Sequence, residues 1–521
     1  MTSLVRYREL TRRYDALPTV AAQILGALPA SCFSGAVTLP AMRASLPLRV
    51  SAAFLAGGAA LVSAALLLAQ AEPAGIGVAR QPRVVLPRDP LAPAGVTFNR
   101  EIARIFQASC QKCHRDGGIG PYPLVTYADA YAHKNEILVS TSERKMPPWH
   151  VNSSCAAFEG DPSLSAADID TISKWVLSGA REGDPKDLPA PLTFPADWSL
   201  GAPDMVLAMP EAFKPNFNQG DVYRCFVLPT NLTENRYSRA VEIQPGARKM
   251  VHHVILFIDT SGQAQKLDDA DPGPGYSCFG GPGFSVNAVA PSLGGWAPGN
   301  QPRFLPDGLG MSLPKGAAVV MQVHYSAHNG IGASDQSSVG IYFTKAPVQK
   351  RVLIAPIINQ NFLIPAGASN YEVTASIPFL PFDAHMIGVT PHMHLLGKTM
   401  NVTASTPDGK TVCLAEVPDW DFNWQNTYTY KSAIAAPFGT ALSLTARYDN
   451  SENNLRNPNN PPKAVGWGEN TTDEMCIGFV SFTLDAENLA SSRAPGPERA
   501  SELAAAEPFL RDLWSELDPK R

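Results

Sequence analysis

The run Cys110-Gln111-Lys112-Cys113-His114 has the residue types and spacing that hold a haem covalently. Two thiols three positions apart form thioethers, and the imidazole that follows coordinates the iron from the proximal side. A disulfide or half of a zinc site would use the same two cysteines, but no second CxxC or nearby pair of ligands completes a zinc site. With 8 Cys and 10 His in 521 residues, a chance occurrence of the motif is rare. Met146, in Arg144-Lys145-Met146-Pro147-Pro148-Trp149, is the expected sixth ligand. Proline keeps that segment out of a helix, and a thioether ligand raises the potential as an electron carrier requires. His133 and His150 are its competitors.

Histidines farther along the chain have the types for a second kind of metal chemistry. His252 and His253 are adjacent, and neighbours on a strand point to opposite faces, so sharing one ion demands a local bulge. His324, in Met321-Gln322-Val323-His324-Tyr325, reads equally as a hydrogen-bonded core histidine. His392-Met393-His394 is a stronger pattern. On a strand, residues two apart share a face with Cα atoms about 6 to 7 Å apart, close enough for two imidazoles to converge. Met475 taken alone reads as core packing.

These residues need several scaffolds, and 521 residues supply enough chain for them. The 42 basic and 47 acidic residues leave a formal charge of −5 with no basic block, which excludes nucleic acid as a partner. Met42-Arg43 and Arg49 precede an apolar run over 50–68, and Ala69-Gln70-Ala71 offers a small-residue cleavage site. Residues 1–71 therefore read as a signal peptide or an N-terminal membrane anchor, with Met42 an alternative start. Either reading implies export to a periplasmic or other extracytoplasmic, oxidising compartment.

A Pro/Ala-rich linker is expected over 72–95 and a second linker over 183–198. Between them, 96–182 has the layout of a small all-α cytochrome c domain: a helix over 98–108, the haem motif, a loop, and a helix over 165–179 opened by Ser165. With 47 prolines and 40 glycines and few long helical patterns beyond 195, the rest reads as short strands. The clearest are 251–258, 318–325, 385–394, 442–448 and 476–484, and they fit two antiparallel β-sandwich domains, 199–346 and 347–484. The tail over 485–521 carries a helix at 501–517, expected to dock on the last sheet.

The order His252-His253, His324-Tyr325, His392-Met393-His394, Met475-Cys476, on successive β regions, resembles the copper type II, ascorbate-dependent monooxygenases. The resemblance spans about 198–484. It includes Gly275-Tyr276-Ser277-Cys278, Gly295-Trp296-Ala297-Pro298-Gly299, Leu305-Pro306 through Gly310, Tyr448-Asp449-Asn450-Ser451 and Asp473-Glu474-Met475-Cys476. It implies two copper ions: one electron-storing, held by His252, His253 and His324, and one meeting oxygen and substrate, held by His392, His394 and Met475. It also implies two jelly-roll-like sandwiches with the coppers across a solvent-filled cleft. Soft thioether ligation and an open position suit reduced copper that reacts with dioxygen.

Under the same resemblance Cys225 pairs with Cys278 and Cys413 with Cys476, leaving Cys155 a free buried thiol; Cys32 lies in the leader. His328 and His385 match no role and read as structural. Peptide-amidating members anchor a substrate carboxylate with Arg and Tyr at positions that are Thr390 and Phe479 here, which argues against a peptidyl-glycine substrate. Trp420, Phe422, Trp424, Gln425, Tyr428 and Tyr430 form an aromatic segment that packs the sandwich or, in part, lines an apolar pocket.

The expected activity is hydroxylation of a C–H bond in a small organic substrate by dioxygen. The two electrons come from an ascorbate-like reductant or a redox protein and are relayed through the one c-type haem. The alternatives are an exported haem/copper electron-transfer or redox-sensing protein without hydroxylase activity, and a haem peroxidase.

Overall fold

The computed structural model describes residues 95–195, 197–326, 333–492 and 495–517. The expected leader, most of the first linker and His328 lie outside them. Among the described residues no helix is long and apolar enough to cross a membrane.

The chain from 98 to 177 is helical: Phe98–Ile102, Ala103–Ser109, Tyr127–Ala132, Lys134–Ser142 and Ala166–Leu177. Ser165 opens the last of these with a capping box, its hydroxyl accepting from Asp168 N–H while the Asp168 carboxylate accepts from Ser165 N–H. Thr126 and Asp129 do the same for Tyr127–Ala132. Phe98, Ile102, Phe106, Ile172 and Trp175 make a small core of their own. The linker expected over 183–198 lies in part against these helices, where Arg104 donates to Asp187 O (3.0 Å) and Gln107 to Ala190 O (2.8 Å).

The remainder is mostly β. Two five-stranded sheets enclose one core. One runs in the order Met205–Ala208, Ser338–Phe343, Arg236–Gln244, Leu309–Leu313, Lys350–Arg351; the other in the order Tyr276–Ser277, Val222–Pro229, Ala318–Tyr325, Val251–Asp259, Ser292–Trp296. Phe226, Leu256, Met321 and Tyr325 from the second sheet meet Ile243, Leu313, Val339 and Ile341 from the first.

Two four-stranded sheets enclose the next core. Leu353–Ile358, Ile477–Leu484, Ala384–His392 and Tyr428–Ala436 face Tyr371–Ile377, Ala441–Tyr448, Gly397–Ser405 and Thr411–Val417. Strict in-out alternation along Ala441–Tyr448 marks a sheet with one wet face. The terminal helix, Pro497–Ser515, docks on this pair through Leu510, the Phe509–Phe382 edge contact and a Trp514 bond to Ile354 O (2.9 Å).

A strap from the helical part, residues 149–161, covers one edge strand of each four-stranded sheet. Asn152 N–H donates to Glu416 O (2.7 Å) on one edge strand; Glu159 N–H to Thr429 O (2.8 Å) and Lys431 N–H to Ala157 O (2.9 Å) add the strap to the other. Cys155, expected to be a free thiol, forms a disulfide with Cys413 within this contact. The expected Cys413–Cys476 pairing is therefore corrected: Cys476 is a free, fully buried thiol in the core of the sheet pair. A separation of 258 residues between the true partners hides the bond from sequence spacing. Cys225 and Cys278 are bonded to each other.

Candidate functional site

The strand Val251–Asp259 is bulged where its histidines lie. Val251 sits opposite Tyr325 and His253 opposite His324, so His252 is an extra residue with no cross-strand partner. That one inserted residue cancels the alternation of side chains and turns two adjacent imidazoles to the same ion-sized space. His253 Nδ1 lies 3.3 Å from His252 Nδ1 and 3.4 Å from His324 Nδ1, and nitrogens of the three rings lie within 4.8 Å of one another.

The outer atoms decide which nitrogen is free. His324 Nε2–H donates to Asp221 Oδ2 (3.1 Å), which leaves Nδ1 as a lone-pair donor. Burial pushes His252 down to about 3 and His253 and His324 down as well, so all three rings are neutral, as metal ligands must be. Three neutral imidazoles, two of them buried, bring ring nitrogens together around one point, and this donor set fits copper.

His392 ends the strand Ala384–His392, and His394 lies beyond it, not on it as expected. The reason is Glu474, wholly buried, whose carboxylate takes the N–H groups of His394 (2.9 Å), Leu396 (2.5 Å) and Met475 (3.2 Å) away from the sheet ladder. Burial pushes that carboxyl up to about 8 while these N–H groups pull it down. His392 Nδ1–H donates to Gln425 Oε1 (2.6 Å) and His394 Nδ1–H to Asp473 O (3.2 Å), so both rings keep Nε2 free. His392 Nε2 stands 3.2 Å from Met475 Sδ. Burial holds His392 down at about 4 and His394 well below its ordinary value. Two imidazoles and a thioether form a soft set suited to Cu(I).

The two sets are neighbours. His253 and His392 rings are 6.3 Å apart, much closer than the cleft-spanning arrangement expected from the resemblance. Phe422 stacks on His252 (4.2 Å, 14°) and meets His394 edge-on (5.7 Å). The aromatic segment thus packs the second sheet pair through buried Trp420, Tyr428 and Tyr430, and also reaches ligands of both sets. Sequence reasoning missed Asp221 and Glu474 as supports. Glu474 had a signal, being the neighbour of Met475; Asp221 had none. Phe479, at the family's substrate-anchoring position, is covered by Trp514 (6.3 Å). His385 pairs with Asp485 (2.7 Å), in keeping with a structural part.

In the helical part, Cys113 N–H and His114 N–H both donate to Cys110 O, so the motif makes one turn. Cys110 and Cys113 are free thiols, and burial pushes Cys110 up to about 12. His114 Nδ1–H donates to Tyr122 O (2.9 Å), leaving Nε2 for an iron, and Gly120 lies so close that a Cβ there would stand 2.8 Å from the His114 ring. The donors fit a covalent haem. Met146 is half-buried on the loop after Lys134–Ser142. His133 stacks on Tyr122 (3.6 Å), whose ring is 5.2 Å from His114, whereas His150 turns to Asp419 O (3.0 Å). Cys113 also lines a cavity of about 550 Å³ whose other walls include Trp296, Asn300 and Thr427 from the β part.

No curated protein matches the chain. Among solved structures, the VP2 subviral particle of infectious bursal disease virus is similar at 9% identity over 60% of this chain and 91% of that one, with a TM-score of 0.15. The major capsid protein P2 from bacteriophage PM2 is similar at 9% identity over 56% and 99%, with a TM-score of 0.22. Residues 339–496 match the family model described as copper type II ascorbate-dependent monooxygenase, C-terminal domain. That match covers the segment bearing His392, His394 and Met475, so this part of the chain is similar to the C-terminal domain of that family.

Proposed function

We propose that this protein is an exported copper monooxygenase that hydroxylates a C–H bond of a small organic substrate with dioxygen, fed by electrons through a haem bound at Cys110, Cys113 and His114. The observation that carries it is the pairing of a three-nitrogen set, in which His324 is oriented by Asp221, with a two-nitrogen, one-sulfur set whose two imidazoles are oriented by Gln425 and Asp473 O. Copper in these sets would supply single-electron chemistry and activation of dioxygen.

The chain's own residues have separable tasks. His252, His253 and His324 hold the electron-storing ion, with Asp221 keeping the His324 proton on Nε2. His392, His394 and Met475 hold the ion that meets oxygen; Gln425 and Asp473 O keep their protons on Nδ1. Thr390, a small hydroxyl residue half-exposed beside Thr427, and Phe479 favour an uncharged, largely apolar substrate over a carboxylate. The haem would carry single electrons in, with Met146 as the sixth ligand. The strap over 149–161 and the cavity beside Cys113 support direct delivery to the β part.

A second reading, an electron-transfer or redox-sensing protein, is favoured by the burial of Met475 and His394, at 5% and 2% exposed. Isotopically labelled dioxygen with a metabolite mixture separates the two. Label in an organic product, dependent on Met475, is the expected result; label in water alone, with copper and haem both cycling, supports the carrier instead.

A further inference from the structure

The three ligands of the all-histidine set belong to the first sheet pair, but two of the side chains that orient them do not. Asp221, which binds His324 Nε2, is itself held by the Thr471 hydroxyl and by Thr471 N–H at 3.4 Å. Phe422 lies flat on His252 at 4.2 Å. Thr471 and Phe422 both come from the second sheet pair, on the loops that also carry Asp473, Met475 and Gln425. A third contact runs the same way: Tyr223, stacked on His324 at 4.2 Å, donates from its hydroxyl to Glu469 O at 2.9 Å.

We propose that Thr471 and Phe422 are positioning residues for the all-histidine metal site, which is complete only when the two sheet pairs are closed on each other. The inference rests on the reading that this site binds copper. Physically, one Asp221 oxygen, Oδ2, accepts from both His324 Nε2 and Thr471, so losing Thr471 removes one of the contacts that fix the carboxylate and loosens its hold on the imidazole tautomer. Loss of the Phe422 face frees the His252 ring to rotate out of the cluster. Because the same contacts hold the seam shut, closure and metal affinity are linked, and each strengthens the other by the same factor.

The test uses the full chain loaded with Cu(II) under anaerobic conditions, with a chelator of known affinity competing for the metal. Nitrogen hyperfine structure in the EPR spectrum distinguishes three-nitrogen copper from the sulfur-ligated site. Thr471→Val, nearly isosteric, should weaken the three-nitrogen site about tenfold, at the low end for outer supports of metal ligands. Thr471→Ser, which restores the hydroxyl, should recover it. Phe422→Leu should weaken the same site and broaden its spectrum independently of Thr471.

Hydrogen exchange gives a readout across the seam: the Thr471 amide should be slowed by copper in the wild type and less so in Phe422→Leu. Unchanged three-nitrogen affinity in both variants, with wild-type folding, overturns the proposal. Wild-type protein with no three-nitrogen copper signal at all would instead sink the copper reading on which it rests.

Discussion

His253 and His392 belong to different sheet pairs, yet their rings stand 6.3 Å apart with planes at 88°. Each belongs to one candidate ligand set, so the two sets adjoin where the sheet pairs meet. Were both sets to hold copper as proposed, electrons would have a short path between them. Met475 and His394 are only 5% and 2% exposed, so the proposed reaction with an organic substrate would require the seam to open.

The two sets should lose metal separately. Met475→Leu conserves core volume and should cost at most about 1.5 kcal/mol of stability. It should remove sulfur scattering from the copper X-ray absorption spectrum and abolish product formation, while three-nitrogen copper remains. His252→Ala should do the reverse to the metal content. Loss of both coppers in either variant would mean that the sets are not independent.

The metal-free protein should be acid-sensitive over a defined window. Burial holds the folded-state values of His252 at about 3 and His392 at about 4, below their ordinary value of 6.5, so below 6.5 the unfolded chain takes up more protons than the folded one. Stability conferred by the neutral rings is full above pH 6.5 and should fall steadily as pH drops toward 4. Thermal melts of the apoprotein measure this. A midpoint that stays flat across the window would contradict the burial assigned to these rings.

Peptide mapping without reduction should recover Cys155 joined to Cys413, and Cys476 alkylated only after unfolding. Replacing Cys155 and Cys413 by serine should cost about 2–4 kcal/mol, since the bond closes a long loop of the unfolded chain. Denaturant titration gives the magnitude. Recovery of Cys413 joined to Cys476 would refute the arrangement of the strap.

One covalently bound haem per chain is expected after export with haem-attachment machinery, resistant to acidified acetone and lost in Cys110→Ala with Cys113→Ala. Met146→Ala should lower the haem potential and change the low-spin spectrum. If His133→Ala has that effect and Met146→Ala does not, the imidazole stacked on Tyr122 is the sixth ligand. Gly120→Ala should impair His114 coordination, because its Cβ would meet the ring.

Local chemistry was legible along the chain. The Ser165 cap, the apolar run of Ala318–Tyr325 and the alternation of Ala441–Tyr448 each act over a few residues, and all three appear in the fold. Where sequence reading erred, a distant group had intervened. His394 was expected on a strand because alternation predicts it, but the buried Glu474 carboxylate took its backbone N–H. The Cys413 partner was misread because the chain brings Cys155 to it across a whole sheet pair.

By itself the sequence determined which side chains are candidates for metal and haem, and the mostly β character beyond the helical part. Those follow from residue type and short-range periodicity. Tertiary structure alone decided that an extra residue in one strand turns His252 and His253 to a common point, that Asp221 and Thr471 meet over His324, and that two metal sets close to within a ring's width. Such arrangements depend on register between strands far apart in sequence, which no local pattern encodes, because a one-residue shift in pairing reverses the face on which every later side chain lies.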